Sequence, residues 1–144
     1  MATEILVNDG GAPARIMNLG NAGAAINAGI FVDINSSGNI VAATEDQEAS
    51  ASGEKVALGV LLVDAVSGAP TSIVTGKGIV CNVQVGDATS MAIGAELTLD
   101  NAGKVEVTAD ADAHRAVAIQ LAAVDTAGST SDGTTTSFVK VLLL

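Results

Sequence analysis

Bulky hydrophobic residues alternate with smaller ones along much of this chain, which is the pattern of β-strands. The clearest example is residues 55–64, where Val56, Leu58, Val60 and Leu62 share one face. A similar stretch returns at residues 115–123. A helix would place its apolar residues three and four positions apart. Both stretches are therefore predicted to be strands.

The elements before these two strands also correspond, which predicts that one β unit occurs twice. A hairpin with a turn at residues 35–39 precedes the first strand, and a hairpin with a turn at residues 100–103 precedes the second. A polar, acidic loop, residues 44–54 in the first unit, follows each hairpin. Further strands are predicted at residues 71–75, 78–85 and 137–144. The pattern indicates an all-β fold, namely a small β-barrel or a barrel-like sandwich.

The beginning of the chain differs from this repeat. Residues 1–19 are predicted to form an extended N-terminal arm, and residues 20–144 a barrel-like head domain. The arm contains the apolar triplet Ile5-Leu6-Val7, then a break rich in Gly, Asn and Pro, then Arg15 and Ile16. Such a short triplet buries little surface by itself. We expect it to pair with a distant part of the fold or with another chain.

Composition indicates that some apolar surface is covered by a partner. The chain has 144 residues, 49% of them hydrophobic, and a mean hydropathy of +0.49, yet Phe31 and Phe138 are its only aromatic residues. The longest apolar run, residues 56–63, is far shorter than the roughly 20 residues of a membrane-spanning helix. The N-terminus lacks the pattern of a secretory signal, which predicts synthesis in a cytoplasm-like compartment.

Covering by sister subunits is therefore favoured over a membrane. The smaller faces of the two repeated strands would let a neighbouring sheet or subunit approach closely. The predicted subunit-interface positions on these faces are Ala57, Gly59, Leu61, Ala118, Gln120 and Ala122.

Charge excludes one class of partner. The chain carries 16 acidic residues against six basic ones, for a net charge of −10, and has no basic cluster. Nucleic-acid binding requires basic residues that neutralise phosphates, and it commonly uses aromatic stacking. The sequence therefore predicts no nucleic-acid partner.

Two Gly-containing turns invite comparison with ligand-binding loops. Asp33, Asn35, Ser37 and Gly38 follow the spacing of a calcium loop, but Thr44 stands where a bidentate Glu is required. Residues 76–78, Gly-Lys-Gly, lack the remaining residues of a phosphate loop. Both segments are interpreted as hairpin turns.

The sequence also gives no sign of a catalytic or metal centre. His114 is the only histidine and has no Cys or second His to complete a metal site, so a solvated loop histidine is favoured over a pH-sensitive interface. Cys81 is the only cysteine and lies in an apolar strand, where a buried thiol is expected. No Gly-x-Ser-x-Gly motif is present. We therefore expect no enzymatic activity, no cofactor and no bound metal.

A family resemblance rests on the rhythm of Gly and aliphatic residues from about Gly20 onward. The segments of this chain that carry the resemblance are Ala28-Gly29-Ile30-Phe31-Val32, Gly59-Val60-Leu61-Leu62, Gly94-Ala95-Glu96-Leu97 and the closing strand at 138–144. The succession resembles bacteriophage capsid decoration, or cement, proteins, in particular small phage head proteins sometimes labelled as recombinase-like. The acidic loop of this chain, residues 44–54, is longer than the connection that is usual in that family.

The resemblance implies a β-barrel-like domain, usually a homotrimer, on the outside of an icosahedral shell where major capsid proteins meet. The arm would then grip the shell, and the implied contacts are Ile5, Leu6, Val7, Arg15 and Ile16. The leading hypothesis is a decoration protein that stabilises contacts between major capsid subunits on the virion exterior. The alternative is another virion or surface β module, such as a tail, fibre or adhesive domain, without catalytic activity.

Overall fold

The computed structural model describes residues 5–8, 15–44, 57–87, 91–107, 116–120 and 138–144. Every regular element within these ranges is a β-strand, which confirms the predicted all-β class. None of the described residues belongs to a helix that could cross a membrane. The strands are β1 (Leu6–Asn8), β2 (Arg15–Met17), β3 (Phe31–Ile34), β4 (Ile40–Ala42), β5 (Gly59–Leu61), β6 (Ile73–Thr75), β7 (Val80–Asp87), β8 (Glu96–Leu99), β9 (Val105–Val107), β10 (Ala116–Gln120) and β11 (Phe138–Leu143).

The later strands form a closed barrel. Their order is β7-β11-β10-β8-β9, and β9 returns to pair with β7 in parallel, with Val85 opposite Val105. The other pairings in this ring are antiparallel. Strand β1 adds to β7 outside the ring, where Leu6 lies opposite Cys81. Closure leaves these five strands with few free edges, as expected for so apolar a chain.

The earlier strands form an antiparallel sheet with the order β2-β6-β5-β3-β4. A parallel bridge between Ala22, beyond the end of β2, and Ile40 in β4 joins the two edges. Two hydrogen bonds form it: the Ile40 N–H donates to the Asn21 carbonyl, and the Gly23 N–H donates to the Ile40 carbonyl, both at 2.8 Å. This bridge occupies the place of the parallel β7–β9 pairing in the closed barrel.

The two sheets are therefore copies of one five-stranded unit, and the predicted duplication is confirmed. We call β2–β6 the first unit and β7–β11 the second unit. The registers agree: Val32 pairs with Ala42 and Gly59 in the first unit, as Leu97 pairs with Val107 and Ala116 in the second. The repeat is longer than predicted, because β2 and β6 correspond to β7 and β11.

The hairpin turns repeat down to individual hydrogen bonds. In the first unit the Asn35 side-chain oxygen accepts from the N–H groups of Ser37 and Asn39, both at 3.0 Å. In the second, Asp100 accepts from Ala102 at 2.8 Å and Lys104 at 2.9 Å. These are Asx turns, in which a short side chain replaces a backbone acceptor. The interpretation of residues 35–39 as a hairpin turn is confirmed.

The interior contains two clusters of buried aliphatic side chains. The smaller cluster fills the first unit, and the larger one fills the second unit and extends across its contact with the first. Each unit places the same four strand positions in its interior. They are Val32, Ile40, Leu61 and Ile73 in the first unit and Leu97, Val105, Ala118 and Val141 in the second.

The N-terminal segment contributes to both units. Strand β1 pairs with β7, and Arg15–Met17 of β2 pairs with β6. The triplet therefore pairs with a distant part of its own chain. The repeat begins at Arg15, inside the range that the sequence assigned to an arm, because β2 is the counterpart of β7.

Candidate interaction surfaces

The described residues offer surfaces rather than reactive centres. No three of their His, Cys, Asp or Glu side chains are grouped so that they could hold a metal ion. Cys81 is buried in β7, as predicted, and burial raises the pKa of its thiol to about 11. Such a thiol is almost entirely protonated at neutral pH and is a poor nucleophile. His114 lies outside the described residues.

The predicted shell-contact residues fall into two environments. Ile5 is only 3% exposed and packs in the larger core cluster, so its side chain is not available to a partner. Leu6 is half-buried against the same cluster, and the side chain of Val7 lies outside the described residues. Arg15 and Ile16 are exposed on β2. Of the predicted shell contacts whose side chains the structure describes, Arg15 and Ile16 are the exposed ones.

The predicted subunit-interface residues lie mostly inside the chain. Gly59, Leu61 and Ala118 are buried, and Ala57 is half-buried against the larger cluster. A Cβ atom on Gly59 would collide with the Val74 carbonyl oxygen, so its small size is used between β5 and β6 of one chain. The side chain of Gln120 and all of Ala122 lie outside the described residues. The small faces thus permit close packing within the chain itself.

Two loops of the first unit form one continuous exposed surface. We define the exposed residues of segments 20–27 and 63–70 as the loop surface. Its two halves are joined by reciprocal backbone hydrogen bonds at 2.9 Å between Ile26 and Ala65, and Ala22 donates to the Ala69 carbonyl at 2.8 Å. Val63 and Val66 project from this surface and are 57% and 68% exposed.

The loop surface is nearly free of charge, which is unusual in a chain of net charge −10. Its only charged residue is Asp64, whose carboxylate accepts a hydrogen bond of 2.7 Å from the Ala28 N–H. This bond fixes the side chain against the neighbouring loop. The surface therefore presents mostly uncharged groups to solvent, and a partner of either charge could approach it without strong repulsion.

The contact between the two units is the second interaction surface in the described structure. We call it the junction. The Phe31 N–H of the first unit donates to the Gly103 carbonyl of the second at 2.9 Å. The Gln84 backbone N–H donates to the Gly29 carbonyl at 2.9 Å, and the Gln84 side-chain amide donates to the Ala28 carbonyl at 2.8 Å. Turns of one unit thus bind the backbone of the other.

Close packing accompanies these hydrogen bonds. A Cβ atom on Gly29 would lie 2.7 Å from the Phe138 ring and 3.3 Å from the Ile5 side chain. A Cβ atom on Gly103 would overlap the Phe31 carbonyl oxygen and lie 3.2 Å from the Ala43 nitrogen. Phe31, Val60 and Val74 complete the first unit's side of the junction within the larger core cluster. The two units are therefore joined by close packing as well as by hydrogen bonds.

Sequence reasoning missed both surfaces. The uncharged composition of residues 16–32 was a signal for the loop surface, but only the structure brings residues 62–71 beside them. The junction had no local signal, because Phe31 and Gly103 are distant in sequence.

Comparison with known proteins gives a structural match without a sequence match. No protein-family model matches the chain, and no curated protein is significantly similar to it in sequence. The fold is similar to that of the crystal structure of the N base of head fiber gp8.5 in bacteriophage phi29. The TM-score is 0.62 at 14% identity, and the match covers 92% of this chain and 95% of the other. This shared fold includes both units.

Proposed function

We propose that this chain is a structural protein of a phage virion, namely a decoration protein on the exterior of the head. It would bind the major capsid protein and stabilise contacts between neighbouring capsid subunits. The observation that carries this proposal is the fold similarity to a phage head fiber base over 92% of the chain. The family resemblance of the Gly and aliphatic rhythm supports the same assignment.

The proposed mechanism is mechanical, without catalysis or a cofactor. The protein would be made in the host cytoplasm and assemble as a homotrimer on the shell. Burying roughly 1,000 Å² of apolar surface contributes at most about 25 kcal/mol before ordering costs, which remove most of it. A small net gain at each of many sites would still strengthen the shell. The acidic charge of −10 disfavours contact with the packaged nucleic acid, and we propose no membrane partner.

We place the shell contact on the loop surface. Val63 and Val66 provide exposed apolar side chains there, and Asp64 is the only charged residue of this surface, which lowers the cost of desolvating a broad contact. The sequence-based candidates Arg15 and Ile16 lie on β2 at the edge of the first sheet. They remain a second candidate for the shell contact.

A second candidate function is the base of a head fibre. It is favoured by one observation, which is that the matched structure is itself the base of a head fiber. Both functions place the protein on the phage head. They differ in whether a fibre extends from it. Electron microscopy of decorated heads separates them, because a fibre extends from the shell and a decoration protein forms a compact knob.

The test is binding of the purified protein to heads that lack it. We expect wild-type protein to sediment with such heads and to raise the temperature at which they release DNA. Val66→Glu should weaken sedimentation at least tenfold, since it places a charge in the loop surface. A wild-type protein that does not bind the heads would overturn the proposal.

The matched controls are Ile16→Glu and Ile93→Glu, which place the same charge on exposed isoleucines elsewhere. Equal binding of Ile93→Glu and wild type, with loss in Ile16→Glu alone, would assign the shell contact to β2 instead. Loss in Val66→Glu alone would assign it to the loop surface.

A further inference from the structure

We infer that the outer edge of β2 accepts an extended segment of another protein, which adds there as β1 adds to β7. The two strands are equivalent, because β2 opens the first unit and β7 opens the second. Their pairing with β6 and β11 makes residues 15–17 the counterparts of residues 79–81. Strand β1 lies beside β7 at Cys81 and Val80, whereas no described residue pairs with the equivalent side of β2.

The backbone of β2 directs hydrogen-bonding groups toward this open side. The Leu62 N–H donates to the Ser72 carbonyl at 2.8 Å, so the backbone groups of Ser72 face β5. Because these groups alternate along a strand, those of Ile73 face β2 and its partner Met17. The N–H and carbonyl of Ile16 therefore point away from β6, where an added strand could bond to them.

Strand β1 uses the equivalent groups of β7. The Asn82 N–H donates to the Ile5 carbonyl at 2.7 Å, and Leu6 lies opposite Cys81. The counterpart of Asn82 is Asn18, which is exposed. A segment lying on β2 would therefore meet the N–H of Asn18 in the same position.

Side chains at this edge are exposed where those of β7 are covered. Ile79 and Cys81 are 3% and 0% exposed, and they share a buried cluster with Ile5, which precedes β1. Their counterparts Arg15 and Met17 are both exposed, Met17 by 40%. The first unit thus lacks, among the described residues, the apolar side chain that the N-terminal segment supplies to the second.

The number of strands favours a different protein over a second copy of this chain. Each chain has two places of this kind and a single β1. Moving β1 of any copy onto β2 would uncover Cys81, which is fully buried, so an exchange of β1 between copies would gain nothing. In a virion the added segment would come from the major capsid protein, and this identification of the partner rests on the proposed function.

The residues of the edge define the chemistry of that segment. It would be extended and run antiparallel to β2, as β1 runs to β7. An aliphatic side chain would cover Met17, as the N-terminal segment covers Cys81. A carboxylate would lie near Arg15, which stands where the second unit has the buried Ile79.

The test uses a synthetic peptide with the sequence of residues 4–9 as the added segment. It contains the aliphatic triplet, and in the register of β1 its Asp9 would approach Arg15. Titration calorimetry should find one peptide bound per chain. In NMR spectra of the isotope-labelled full chain, the amide signals of Ile16 and Asn18 should shift and that of Asn82 should stay. No binding at millimolar peptide, or a shift at Asn82 alone because the peptide displaces β1, would overturn the inference.

Variants of β2 provide a second measurement. Ile16→Pro removes the N–H that faces the peptide and should weaken binding at least tenfold. Proline is tolerated on edge strands whose N–H faces solvent, so we expect this variant to fold, which circular dichroism checks. Ile93→Glu changes an exposed isoleucine of the second unit and should bind like wild type. Equal binding by wild type and Ile16→Pro would contradict an acceptor edge on β2.

The charge at the edge is tested separately. Arg15→Glu should weaken binding of the peptide about threefold, and a peptide with Asp9→Lys should restore it. None of these measurements contains a capsid. Peptide binding without binding to heads would keep the acceptor edge and reject the proposed function, whereas the reverse result would reject only the acceptor edge.

Discussion

Glycine residues at equivalent places in the two units have the same backbone conformation but different surroundings. Gly38 and Gly103 have φ values of 80° and 73°, and each ends an Asx turn. The left-handed conformation is therefore set by the turn. At Gly103, but not at Gly38, a side chain is also excluded by close packing, because Phe31 of the other unit lies against it.

Substitution of each glycine by alanine should separate the cost of the left-handed backbone conformation from the cost of steric overlap with the other unit. Gly38→Ala should lower the free energy of unfolding by about 1 kcal/mol, from the left-handed conformation alone. Gly103→Ala should cost about 2 kcal/mol more, because its Cβ atom overlaps the Phe31 carbonyl. Urea unfolding measures both. Equal losses would mean that the junction is loosely packed.

Cys81 gives a second prediction at the scale of a residue. Burial raises the pKa of its thiol from 9.0 to about 11, so the thiolate fraction at pH 8 falls about a hundredfold. We expect alkylation of native protein to be at least that much slower than alkylation of urea-unfolded protein. The rate should rise with pH up to about 11, provided that the fold persists. Rapid labelling of native protein at pH 8 would contradict the buried position.

At the scale of elements, the Asx turns fix the register of the two central hairpins. Asp100 accepts two backbone N–H groups, so Asp100→Ala should cost about 1–3 kcal/mol of unfolding free energy. Asp100→Asn keeps the accepting oxygen and serves as the matched control, with a loss below about 1 kcal/mol. Thermal or urea unfolding measures the difference. If both variants are equally unstable, the carboxylate charge matters more than the turn.

The hairpins are also the part of the fold that sequence predicts best. Asn35 with Gly38, and Asp100 with Gly103, give local turn signals flanked by alternating aliphatic residues. The membership of β2 in the repeat was not predictable in this way. Arg15–Met17 corresponds to β7 only through its pairing with β6, which lies far along the chain. Likewise, composition indicated covered aliphatic faces, but not that Leu61 and Ala118 face the interior of one chain.

At the scale of the whole molecule, the repeat places equivalent residues of the two units in different environments. Val60 and Val117 occupy equivalent places on β5 and β10, opposite Phe31 and Glu96. Val60 is fully buried because the second unit covers it, and Val117 is half-buried. Since the larger cluster continues across the junction, the two units should unfold together in a single transition.

The same substitution at both valines tests this coupling. Val60→Ala should lower the free energy of unfolding by about 2 kcal/mol, since it removes two methyl groups from a packed junction. Val117→Ala should cost less than about 1 kcal/mol, because its side chain already contacts water. Calorimetry of both variants should show one transition that shifts as a whole. Two transitions, with only the first unit affected by Val60→Ala, would mean that the units are independent domains and that the junction does not couple their unfolding.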